Sequence, residues 1–237
     1  MTGEVALLAF SAAAIAFAHT LLGPDHYLPF VAMARARRWS LSRTLRITLL
    51  CGVGHLAGSV ALGLAGIALG LQLSSLTWLE GVRGSLAAWL LIGFGLAYTA
   101  WGLRQARRNR RHTHWHHHDG VTHVHEHSHH EAHAHVHEAQ EPAKSLTPWV
   151  LFVIFILGPC EPLIPLLMYP AARVDAFGVI VVTAVFGIVT VLTMLATVAI
   201  ALRGLKAFRF RRFERYGQAL AGVTILACGL GIQFFAW

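Results

Sequence analysis

The run His19-Thr20-Leu21-Leu22-Gly23-Pro24-Asp25-His26 sets two imidazoles and a carboxylate inside an otherwise apolar stretch from about Val5 to Ala34. Neutral imidazole is a ligand for nickel, cobalt, zinc and copper, and a carboxylate adds charge compensation or a place for a proton. Such a stretch is long enough to cross a bilayer, which takes about 20 apolar residues, and ionisable side chains at that depth cost on the order of a few kcal/mol each. A bound cation or a proton pathway would compensate. His19 and His26 lie two turns apart and would share a face of an unbroken helix. Pro24 interrupts that registration, because proline lacks an N–H and its ring clashes with the carbonyl four residues back.

Two further ionisable groups fall within apolar stretches, His55 and Glu161, and the spans are expected to hold no lysine or arginine in their interiors. His55 stands amid Gly52, Gly54 and Gly58, small residues that let a neighbouring helix come close. Alone it reads as an interhelical hydrogen-bond donor; beside the first-stretch group it reads as another ligand. Glu161, flanked by Pro159 and Pro162, is open to three roles: ligand, proton-coupling group, or protonated carboxyl bound to neighbouring backbone. Cys160 could give a soft metal a thiolate or serve as a small apolar filler, and filler is the reading for Cys51 and Cys228.

The elements that must position these groups follow from composition. Of 237 residues, 56% are hydrophobic and 13% charged, too little polar surface to dress a soluble globule. The sequence predicts an all-α polytopic membrane protein with six transmembrane helices, at about 5–34, 47–73, 84–103, 149–170, 174–202 and 216–237. Glu4 and the lack of a basic residue before the first apolar run argue for a retained span rather than a secretion signal.

The net charge of +8 is arranged by loop, which argues against nucleic acid as a partner. Seventeen of the 19 basic residues follow the first, third and fifth spans, leaving Arg83 and Arg173 for the other side. By the positive-inside rule those three loops are cytoplasmic and both termini face out.

Shifted by 135 positions against itself, the chain sets Gly23-Pro24-Asp25-His26 on Gly158-Pro159-Cys160-Glu161, Thr48 on Thr183, Gly52 on Gly187 and Leu91 on Leu226. The halves, 1–103 and 148–237, then hold three spans each, and an odd number means the second enters from the opposite face. Transporters built of inverted repeats bind their ligand near the midplane, where broken helices meet. Gly23, Pro24, Gly158 and Pro159 are the expected breaks, with Pro29, Pro162 and Pro165 adding to the disruption. No Gly-rich nucleotide loop is present, so coupling to a proton or another ion gradient is expected.

Between the halves, 104–147 carries 13 of the 16 histidines: His112, His114, His116, His117, His118, His123, His125, His127, His129, His130, His133, His135 and His137. Such a segment lacks the apolar residues for a core and is expected to be disordered without a ligand, binding several transition-metal ions with modest selectivity. On the cytoplasmic side it would buffer, sense or funnel ions.

The His-rich loop, the six spans and His19 to His26 resemble the nickel and cobalt transporter group, whose first signature is a histidine, four residues, then Asp-His, and the related UreH-type membrane proteins. Here five residues separate His19 from Asp25-His26. The resemblance implies metal contact for Asp25 and His26, nickel or cobalt as transported substrate with zinc as an alternative, and a bacterial inner membrane. The paired Gly-Pro motifs also resemble the CcdA and DsbD type of thiol relay, which has a cysteine after the proline in each half. Here Asp25 fills that place in the first half, so an intramembrane disulfide between the halves cannot form.

The sequence therefore predicts a metal transporter rather than an enzyme, with His19, Asp25 and His26 as its centre and His55, Glu161 and Cys160 as further candidates. A membrane accessory factor for metal delivery, urease maturation being one example, is the alternative; a redox carrier using Cys160 comes after it. Direction of transport, oligomeric state and any metal chaperone stay open.

Overall fold

In lipid a backbone N–H has no water to turn to, so runs rich in Leu, Ala, Val and Gly close their hydrogen bonds as helices. The computed structural model describes residues 3–108, 112–118, 121–127, 146–173, 176–206 and 215–235. The first apolar stretch is not one helix. α1 (Gly3–Leu22) stops where Gly23 N–H donates to His19 O at 2.9 Å, a short 3-10 turn follows at Pro24–His26, and α2 (Leu28–Ala36) restarts with a proline in its first turn. α3 (Leu41–Ala68) is capped by Ser40, whose Oγ accepts from Arg43 N–H, and α4 spans Leu73–Arg108. The fourth stretch is broken as the first is, into α5 (Thr147–Leu157) and α6 (Leu163–Ala172) around Gly158-Pro159. α7 (Ala176–Lys206) and α8 (Gly217–Phe235) complete the helices.

Helix ends repeat at the spacing of the Gly-Pro motifs: Leu22 and Leu157 close a helix 135 positions apart, and Leu28 and Leu163, then Leu41 and Ala176, open one. Packing is reciprocal, since α1 lies on α7 as α5 lies on α3. The third helices of the two halves, α4 and α8, touch backbone to backbone. A Cβ on Gly95 would stand 2.5 Å from Leu226 N and one on Gly229 2.9 Å from Ala88 O, while Gly102 abuts Ala219 and Gly222 abuts Thr99. Ascending positions on α4 meet descending ones on α8, so the pair is antiparallel.

Contacts at the two ends of the molecule fix which termini lie together. At one end Glu4 pairs with Arg173 at 2.9 Å and accepts from Tyr169 Oη at 3.1 Å. At the other, Arg37 Nη2 donates to Thr147 Oγ1 at 3.3 Å and its guanidinium lies 5.6 Å and 5.2 Å from the ring centroids of Tyr98 and Trp101.

Among the described residues five helices are long and apolar enough to cross a membrane, α1, α3, α4, α7 and α8, whereas α5 has only 11 residues. Large apolar side chains point outward along them, Ile180, Ile188, Leu192 and Ile200 on α7 among others, the arrangement expected of helices whose solvent is lipid. The molecule is a polytopic helical membrane protein.

Within the histidine tract two short segments are described. Its backbone pairs His112–His118 (β1) with Val121–His127 (β2) as antiparallel strands. Every second residue is a Thr, Val, Trp or His, a period-two pattern that suits a strand, and Asp119-Gly120 is a dipeptide favoured between hairpin strands. His129, His130, His133, His135 and His137 lie outside the described residues.

Candidate functional site

The first helix break brings its polar groups against the middle of α3. His19 sits in the last turn of α1, Asp25 and His26 in the 3-10 turn, and His55 at mid-length of α3. The rings of His19 and His26 meet edge to face with centroids 4.8 Å apart, and those of His26 and His55 do the same at 5.3 Å. Asp25 Oδ1 is 3.3 Å from His26 Nδ1. Proximity of His19 and His26 thus survives the break at Pro24, although no continuous helix connects them.

Backbone carbonyls decide which nitrogen of each ring carries the proton. His26 Nδ1 is 3.2 Å from Gly23 O, and His55 Nδ1 is 3.2 Å from Phe155 O. A carbonyl oxygen only accepts, so Nδ1–H is the donor in both rings and Nε2 keeps the lone pair of the neutral imidazole. Metal-ligating histidines are held in the same way, one nitrogen fixed by a carbonyl and the other left for the ion. Nε2 of His19, His26 and His55 and Oδ1 of Asp25 are all buried without a hydrogen-bond partner. A buried unpaired polar group costs about 1–3 kcal/mol, so three imidazole nitrogens gathered beside a carboxylate make this break the candidate site. In this conformation no three His, Cys, Asp or Glu side chains among the described residues converge on one ion position.

Both Gly-Pro glycines border this cluster. A Cβ at Gly23 would lie 2.7 Å from His26 Nδ1 and 3.0 Å from Asp25 Oδ1, and one at Gly158 would lie 3.1 Å from His55 Nδ1. Close approach favours glycine most strongly at Gly23, while at Gly158 a side chain would make a tight contact that displaces its neighbours by a few tenths of an ångström. Gly54 serves the same end, for its Cβ would stand 2.9 Å from Ile156 Cγ1 of α5.

The second break delivers different groups. Cys160 is fully buried among Ala12, Ala16, Leu163, Leu167, Val182 and Phe186, and Glu161 is exposed. Neither joins the imidazoles, so the central cluster consists of His19, Asp25, His26 and His55. Cys51, Cys160 and Cys228 are free and buried.

Beside this break lies a pair that the sequence reading passes over. From the sequence the third span is expected to start at about residue 84 with Arg83 in an outer loop; the helix begins at Leu73 and carries both Glu80 and Arg83 within it. Glu80 is completely buried, and its Oε1 accepts from Arg83 Nη1 at 2.6 Å. Arg83 Nη2 also donates to the carbonyls of Ile156 at 2.8 Å and Gly158 at 3.2 Å, the last acceptors of α5. The available signal was the i,i+3 spacing, which lets a carboxylate and a guanidinium neutralise each other on one helix face and so enter an apolar stretch.

Fold and site together define a helical membrane protein with an imidazole and carboxylate cluster buried at a helix break. Comparison with protein-family models, curated proteins and solved structures gives no match.

Proposed function

We propose that this chain carries a divalent transition-metal cation, nickel or cobalt, across the membrane, with His19, Asp25, His26 and His55 as its binding groups. The observation that carries the proposal is the set of three imidazole Nε2 atoms, buried and unpartnered at the break, beside the Asp25 carboxylate that pairs with His26. Three neutral nitrogens and one anionic oxygen are a donor set for borderline divalent ions, zinc included.

The proposal includes six crossings in two inverted halves, with α1 and α2 together making one and α5 and α6 another. Three observations support it. Helix ends recur 135 positions apart, α1 on α7 mirrors α5 on α3, and α1 with α2 runs from the Glu4–Arg173 end to the Arg37–Thr147 end while α5 and α6 run back. The antiparallel α4 and α8 agree, since a re-entrant α5–α6 would have left them parallel. The positive-inside rule then puts the histidine tract in the cytoplasm. There the strand register sets His112 opposite His127, His114 opposite His125 and His116 opposite His123 on one face, a ladder suited to gathering ions. Uptake of a coupling ion, a proton first, would drive the cycle.

The test is the elemental content of cells expressing the chain and exposed to nickel, cobalt, zinc, copper and manganese, beside cells with an equal amount of His26→Ala. A rise in one metal that His26→Ala removes means uptake, and a fall that it removes means export. No change for any metal rejects transport and favours an accessory role in metal delivery.

A further inference from the structure

Glu80 and Arg83 are unequally satisfied. Arg83 has four acceptors within reach: Glu80 Oε1 at 2.6 Å, the carbonyls of Ile156 and Gly158 at 2.8 Å and 3.2 Å, and Ser59 Oγ at 3.4 Å. Glu80 has that guanidinium on one oxygen, with the Ser59 hydroxyl and the Cys160 backbone N–H as further donors beside the carboxyl, while its other oxygen, Oε2, is buried without a well-aligned hydrogen bond. The arginine keeps its charge whatever the carboxylate does, because the carbonyl dipoles at the end of α5 hold it. The carboxylate has an open oxygen in a low-dielectric interior, where an unsatisfied anionic oxygen is expensive. A proton on Oε2 relieves it without stranding Arg83.

We propose that Glu80 is a proton-binding site and the place where the coupling ion of transport is taken up, with Arg83 as the partner it releases on protonation and recaptures afterwards. The role in transport rests on the function proposed above; the binding of the proton rests on the local geometry alone. The step is Glu80 carboxylate plus one proton giving the neutral acid, the proton coming from water. Arg83 retains some exposure, and Glu161, exposed at the break, is the acidic neighbour of Glu80, so the pair is not enclosed on every side. Among the described residues the charged and titratable groups facing Glu80 are Arg83 on its own helix and Cys160 and Glu161 from the break, with the Ser59 hydroxyl from α3.

Its consequence reaches the imidazoles through one turn of chain. Arg83 grips Ile156 and Gly158, and the carbonyl of Phe155, next to them, holds His55. Neutralising Glu80 removes the anion that positions the Arg83 guanidinium on α4 while its bonds to the Ile156 and Gly158 carbonyls remain, so the α4–α5 contact readjusts beside the Phe155 carbonyl that orients His55. Proton uptake and imidazole orientation are thereby linked.

Infrared difference spectra of the purified full-length protein, acid minus alkaline, test the binding of the proton without any metal. A protonated-carboxyl band is expected in the wild type and in His26→Ala, lost in Glu80→Gln and shifted in midpoint in Glu80→Asp. Spectra identical between wild type and Glu80→Gln, or between wild type and Glu80→Asp where the glutamine variant does not fold, would overturn it. Proteoliposomes enclosing a pH-sensitive dye and given a nickel or cobalt gradient test the coupling. Wild type is expected to move protons with the metal, and Glu80→Gln to retain metal flux while proton movement drops at least tenfold. Unchanged proton movement per metal in Glu80→Gln refutes the coupling role. Absence of metal flux in the wild type rejects transport itself, and the infrared result still decides whether Glu80 binds a proton.

Discussion

Gly58→Ala puts one methyl group where three parts of the site meet. The added Cβ would stand 2.7 Å from Ile156 O and 2.7 Å from Arg83 Nη2, against 3.4–4 Å for ordinary contact. The guanidinium can swing aside, but the carbonyl belongs to the backbone of α5, so α3 and α5 must part by about 0.7 Å at this point. Overpacking of this kind costs about 1–3 kcal/mol. Replacing a helix-interior glycine by alanine returns about 0.5–1 kcal/mol, leaving a net loss of up to about 2.5 kcal/mol with a midpoint of about 1 kcal/mol, or about fivefold in the ratio of folded to unfolded protein. Gly81→Ala is the control, since its Cβ meets nothing within 4 Å; it should gain about 0.5–1 kcal/mol. Unfolding in mixed micelles, followed by tryptophan fluorescence, measures both. If Gly58→Ala proved as stable as Gly81→Ala, the close approach of α3 and α5 at Ile156 would be refuted, and with it the route from Arg83 to His55.

Gly23→Ala should abolish metal flux in proteoliposomes, because its Cβ would lie 2.7 Å from His26 Nδ1, whereas Gly93→Ala, with nothing near, should leave flux unchanged. Since all three Nε2 atoms are unpartnered, His55→Ala should weaken metal binding by the removal of one ligand, about 10–100-fold by equilibrium dialysis. Cys160→Ala should leave metal flux within about twofold of wild type, the loss being one sulfur atom from an apolar cluster; abolition would revive the thiol reading. Deleting 112–127 should lower bound nickel by about three ions per chain, one for each cross-strand histidine pair, without ending flux.

How far the chain could be read beforehand differs from element to element. The apolar stretches were legible as helices because lipid leaves a backbone no other economical hydrogen bonding. The breaks were legible because proline acts locally, on its own N–H and on the carbonyl four residues back; Pro24 and Pro159 mark them to within a residue or two. His19, Asp25, His26 and His55 were legible as candidates because each is costly at membrane depth without a partner. Glu80 and Arg83 escaped because charge in a sequence looks like solvent exposure until the other half of the pair is recognised, and the start of α4 was set at the charges rather than before them. The strand pairing of His112–His118 with Val121–His127 escaped for another reason: composition argued against a core, and hairpin pairing needs none to set a register.

The sequence by itself determined the class of protein, the places where its helices break and the donor types they expose, since hydropathy, proline geometry and the cost of buried charge all act within one segment. Only the tertiary structure decided which groups share a site. Cys160 and Glu161 occupy the repeat positions of Asp25 and His26, yet they face an apolar cluster and an exposed edge, while His55, from the other side of the α3–α5 contact, joins the first break instead. That choice depends on which glycines let two backbones approach and which carbonyls are left to orient a ring, and those are properties of pairs of helices that no single segment encodes.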